Sequence, residues 1–180
     1  MDTGSVADKL QRVVYREFLF EPELLEEVGL DGLPSTVASL LGCPEGEALT
    51  RLVESPLLEA LSLDQLRTLM IIRDMSLVSR TAAALSAELK QREIGYDHCC
   101  RVALCYAVIG SLGHVFSALR AAASKNDHFA RHHYLYGLVL GLQGDIDRAR
   151  WELGMALQHE PYEEGRSRIR LAMDILDGRV

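Results

Sequence analysis

The chain's 180 residues are enough for one domain with a sizeable core or for two small ones. With 48% apolar and 25% charged residues its composition is globular, not disordered, and its net charge of −7 argues against nucleic acid as a partner. The charge is uneven: residues 1–64 carry 4 basic and 13 acidic side chains, whereas residues 65–180 carry 15 basic and 13 acidic. The acidic half either faces a basic partner or forms a solvated face, and the second reading is favoured because surface charge usually serves solubility.

Met1 to Leu10 carries Asp2, Asp8 and Lys9 around no apolar core, so it does not read as a secretory signal. Val6, Leu10, Val13, Val14 and Phe18 recur at helical spacing, which predicts an amphipathic helix over residues 5–20 with Ser5 at its cap. Pro22, Pro34 and Pro44 open three further short helices, the first two stopped at Gly29 and Gly42, and Ser55-Pro56 begins a short turn ending near Leu61. Ser62-x-x-Gln65 is a capping-box signature, and from Leu63 to Ile94 no Gly or Pro interrupts the pattern. One long helix and a hairpin joined near Ser76 fit that stretch equally. Gly95 ends it, with Asp97 placed to cap the next helix.

Val102 to Leu119 is free of formal charge, but Gly110, Gly113 and His114 interrupt it. A membrane span needs about 20 predominantly apolar residues, so two buried helices meeting at a turn are expected, with no membrane partner. No run of β-branched residues alternates with period two, and the expected fold class is all-α. The four cysteines, Cys43, Cys99, Cys100 and Cys105, make no disulfide framework and point to a reduced, cytoplasmic protein.

The most informative stretch is Ala130 to Tyr162. It runs His133-x-x-Tyr136-Gly137-x-x-Leu140, then Gly144-Asp145, Ala149-x-x-x-Leu153, Ala156-Leu157 and Pro161. Small residues at Gly137 and Ala149 let two helices approach while His133, Tyr136, Leu140 and Leu153 fill the space around the contact. Gly144 supplies a left-handed stop, and Asp145 caps the second helix. One period earlier stands Cys99-x-x-Val102-Ala103-x-x-Tyr106, followed late by Ala118-x-x-x-Ala122, and one period later Leu171-Ala172-x-x-Ile175. The pattern resembles the tetratricopeptide repeat (TPR), a helix-turn-helix unit of about 34 residues, over residues 97–177. The expected organisation is an acidic helical region over 1–61, a linking helix or hairpin over 62–96, and TPR-like hairpins with a C-terminal capping helix over 97–180.

The resemblance implies a non-catalytic adaptor, chaperone or accessory subunit that holds an apolar helix or extended segment of a partner protein. By the family's pattern, Cys100, Leu104, Ala107 and Val108 on one helix, Arg131, Tyr134, Leu138 and Leu142 on the next, and Ile169, Met173 and Leu176 on the last would line the groove. The family's chaperone clamps hold a C-terminal carboxylate with Lys and Asn. Tyr134 and Leu138 stand at those positions here, so no such clamp is expected. Small acidic repeat proteins that chaperone type III secretion translocators are similar in size and groove character.

Residues 134–142 are apolar or glycine all round, and a helix without a polar face must be covered on both sides. Either a partner or the chain's own N-terminal helices supply the cover, and self-coverage is the preferred expectation. A second copy filling the groove, giving a homo-oligomer, is an alternative. Another alternative is a metal or catalytic site among His98, Cys99, Cys100, Cys105, His128 and His132. The paired C-x-x-C spacing of structural zinc is missing and residues 98–100 fan around a helix, so neither metal nor cofactor is expected. Gly110-Ser111-Leu112-Gly113 reads as a helix-joining turn, and no phosphate loop or dinucleotide fingerprint occurs. Trp151 and Met155, four apart and off the repeat's core stripe, mark either a second contact patch or packing against the next helix.

Overall fold

The structure, a computed structural model, describes residues 4–19, 21–27, 31–54, 83, 95–108, 110–125 and 130–180. Among these every regular element is an α-helix. In chain order they are α1 (Val6–Leu19), α2 (Pro22–Glu27), α3 (Leu33–Leu41), α4 (Glu45–Glu54), α5 (Tyr96–Val108), α6 (Leu112–Ala123), α7 (Ala130–Leu142), α8 (Ile146–His159) and α9 (Glu163–Leu176). The expectations for Gly29 and for residues 55–82 and 84–94 lie outside the described residues.

Local chemistry accounts for the ends of the helices. Ser5 Oγ accepts from the Asp8 amide at 3.2 Å while Asp8 Oδ2 accepts from the Ser5 amide at 3.0 Å, a reciprocal cap for α1. Gly42 ends α3 at φ 61°, and its amide donates to the Ala38 carbonyl. Gly144 turns α7 into α8 at φ 82°, and Asp145 accepts from the Arg148 amide at the start of α8. Pro161, which has no N–H to continue a helix, stands just beyond Glu160, the C-cap of α8.

Two boundaries differ from the expectation. α5 already includes Tyr96, so Asp97 lies inside its first turn instead of at the cap, and the Asp97 side chain is outside the described residues. Gly110, at φ 76°, lies in the turn before α6, and Gly113 belongs to the helix. Its left-handed backbone suits Gly110 to a helix stop, and the Ser111 amide closes the turn on the Tyr106 carbonyl at 2.9 Å.

The helices pair in sequence. α5 packs on α6 and α7 on α8, α6 lies against α7 and α8 against α9, and α5, α7 and α9 also touch along one side. A methyl group added at Gly137 would lie 2.8 Å from Leu153 Cγ and 3.2 Å from the Ala149 carbonyl oxygen. The small residue is therefore what lets α7 and α8 approach so closely. α3 and α4 form their own pair. α1 lies across α5, α7 and α9, burying Leu10, Val13, Val14 and Phe18 against them. At about 1.5–3 kcal/mol for each large apolar side chain, that contact is a main source of stability for the N-terminal region.

Candidate functional site

The candidate site is the trough formed by α5, α7 and α9, and α1 occupies it. α7 forms the floor and is buried almost all round, with Tyr134, Leu135, Leu138 and Gly141 among its covered residues. Its lack of a polar face thus has a structural cause: α8 and α6 cover one side, and α1 covers the other. Gly141 is the seat of α1, since a methyl group there would lie 2.6 Å from Leu10 Cδ1 and 3.0 Å from Leu176 Cδ2.

Of the groove residues inferred from sequence, Leu104, Tyr134, Leu138 and Ile169 are buried, while Arg131, Leu142 and Met173 are half-buried. Cys100 and Ala107 are buried too, and Leu176 packs beside Gly141. Val108 closes α5, and its side chain lies outside the described residues. These positions lie on the three neighbouring helices that α1 contacts, and among the described side chains most are buried.

Glu17 does not appear among the residues inferred from sequence, yet it is the most distinctive group in the trough. It is 3% exposed and accepts from the Tyr134 hydroxyl at 3.0 Å and from Arg168 Nη1 at 3.4 Å. Arg131 pairs with Glu21, and Arg101 with Glu23, so the segment after α1 is also fastened to α5 and α7. Burial raises the Glu17 carboxyl above its ordinary value, outweighing the opposing pull of Arg168 and Arg131. Burial and the adjacent Glu17 hold the Tyr134 hydroxyl protonated, well above its usual range. A signal for Glu17 exists in the sequence: it falls on the stripe of Leu10, Val13, Val14 and Phe18, where a charge is out of place.

His133 Nδ1 lies 2.8 Å from Glu152 Oε2 in a buried pair, and its ring meets Trp151 edge-on and stacks with His159. Glu152, the second residue not inferred from sequence, lies on the α8 face that also carries Ala149, Leu153 and Ala156. Ser111 Oγ lies 2.8 Å from His114 Nδ1, but the two are three residues apart and exposed, and His114 stacks on Tyr106. An activated nucleophile needs a third group to orient its base, and none is among the described contacts of His114.

Cys99, Cys100 and Cys105 are buried thiols, and burial pushes that of Cys99 above its ordinary value. Among the described residues no three His, Cys, Asp or Glu side chains are grouped to hold a metal ion; His128 lies outside them. Trp151 is 61% exposed, whereas Met155 is half-buried. No helix among the described residues is long and apolar enough to cross a membrane, the charge-free run 102–119 being divided between α5 and α6.

Apolar walls on three helices, a glycine seat and a few polar groups at one end match the requirements of an amphipathic helix. No protein-family model, curated protein or solved structure matches the chain.

Proposed function

We infer that this protein is a non-catalytic, TPR-like interaction module whose trough accepts an amphipathic helix of a partner protein, in the manner of an adaptor, chaperone or accessory subunit. The observation that carries the reading is the occupant: an amphipathic helix, α1, already lies along α5, α7 and α9 with its apolar face inward. The spacing of Gly137, Ala149, Leu153 and their counterparts near 103 and 172 supports the repeat resemblance. Occupation by α1 means that a partner helix must compete with an intramolecular one.

The test uses the full chain with Leu10→Ala and Phe18→Ala to weaken the internal helix. A labelled peptide of residues 5–19 then binds this chain, read by fluorescence anisotropy. Leu142→Asp or Met173→Asp at the half-buried edge lowers that binding, while Leu40→Asp, on an exposed side chain of α3, leaves it unchanged. A chain that stays folded and captures no peptide, or captures it equally with the trough substituted, rules the trough out as the binding site.

A further inference from the structure

α1 fits its trough with two faults. Beneath Val14 lies a small apolar cavity of about 10 Å³, bordered by Ala103, Leu104, Ala107, Val115 and Leu138. Side chains around such a gap lose dispersion contacts that a larger occupant would restore. The second fault is Glu17. Its side chain is 3% exposed, whereas that of Arg168, its cationic partner, is 40% exposed and stands 3.4 Å away. The acid loses its hydration while the cation keeps much of its own, so the pair returns little for the charge it buries.

Beside Glu17 an open polar cavity of about 50 Å³ runs past Arg131, Tyr134, Glu160 and Arg168. The groups around the carboxylate are therefore Tyr134 and Arg131 from α7, Arg168 from α9, and the acids Glu21 and Glu160. Tyr134 and Arg168 donate hydrogen bonds there, and an uncharged acceptor satisfies them without a buried negative charge.

We propose that α1 is a placeholder, and that the partner is a helix of another protein with α1's apolar spacing, Leu or Ile at the Val14 register and an uncharged acceptor such as Gln at the Glu17 register. The proposal rests on the reading of the trough as a helix-binding site. A second copy of this chain is the weaker occupant, because its α1 brings the same two faults without the high effective concentration of a tethered helix. A partner helix free of both faults has the margin needed to displace α1.

Three labelled peptides of residues 5–19 decide the matter on the full chain: the native sequence, Val14→Leu, and Val14→Leu with Glu17→Gln. The doubly substituted peptide binds about tenfold or more tighter than the native one, from one added methylene and the relieved charge. Glu17→Gln in the chain's own α1 raises the melting temperature and lowers capture of all three peptides. Equal or reversed ranking of the peptides, or a lower melting temperature for the Glu17→Gln chain, overturns the placeholder proposal while leaving the helix-binding reading intact. If none of the three binds either the native chain or the Leu10→Ala, Phe18→Ala chain, the helix-binding reading itself falls. A dimer of the native chain that the native peptide dissolves assigns the trough to a second copy, which also overturns the proposal.

Discussion

Gly141→Ala separates the docking of α1 from the stability of the helices beneath it. The added methyl group would lie 2.6 Å from Leu10 Cδ1, 3.0 Å from Leu176 Cδ2 and 3.8 Å from Ala149 Cβ, so the pressure falls mainly on α1 and the end of α9. Alanine recovers about 1 kcal/mol of helix propensity inside α7. Moving Leu10 off its seat costs about 1–3 kcal/mol, as overpacking in a filled core does. The propensity gain is common to docked and undocked states, so the α1 contact weakens by about 1–3 kcal/mol and the undocked population rises about fivefold or more. Hydrogen exchange resolves this by segment: amides of α1 lose protection by that factor, while those of α7 and α8 keep theirs or gain. Leu10→Ala added to Gly141→Ala costs less than Leu10→Ala alone, with a coupling of about 0.5–3 kcal/mol because the two groups touch. Unchanged protection in α1, or a parallel loss across all helices, refutes the idea that α1 docks as a separate unit.

Gly137→Ala acts on a different contact, because its methyl group would lie 2.8 Å from Leu153 Cγ and 3.2 Å from a backbone oxygen of α8. A net loss of about 1–2 kcal/mol is expected, seen as a lower urea midpoint; a higher midpoint means the two helices do not meet at that point. The Glu17 carboxyl sits above its ordinary value of 4.5, so the folded state binds its proton more readily than the unfolded state does. Its contribution is then fully present below pH 4.5 and is lost as pH rises through the raised value. The difference in melting temperature between the native and Glu17→Gln chains should follow that slope between pH 4 and pH 8, and a flat or opposite difference contradicts it. Asp145→Ala removes the side chain that accepts from the Arg148 amide and should lower stability by about 1 kcal/mol in urea titration. Arg150→Ala should raise the titration midpoint of Asp177 in NMR, since the hydrogen bond from Arg150 is the main reason that carboxyl lies below its ordinary value. An unmoved midpoint rejects that assignment.

Much of the helical framework is legible in the residues because its signals are local. Pro22, Gly42, Gly144 and Asp145 act on their own turns, and each lies at a helix end where the sequence places it. The Gly137 contact is legible because a small residue set between large ones at helical spacing marks where a neighbouring helix comes close. What covers α7 is not local. The apolar run 134–142 requires a cover, but the choice between a partner and α1 depends on packing across more than a hundred residues, as in the bond from Tyr134 to Glu17. Glu17 and Glu152 are harder for a related reason. The apolar stripe flags Glu17 as out of place, but the groups that face the two carboxylates, Tyr134 and His133, are brought near only by the fold.

The bond from Arg168 to Glu17 spans 151 residues, which gives the two partners very different histories during synthesis. At about 5–20 residues per second, α1 leaves the ribosome on the order of ten seconds before α9 exists to receive it. Throughout that interval Leu10, Val13, Val14 and Phe18 have no completed trough to enter. The nascent chain therefore exposes the apolar side chains of that segment to holdases and to premature association before the surface that shelters them exists.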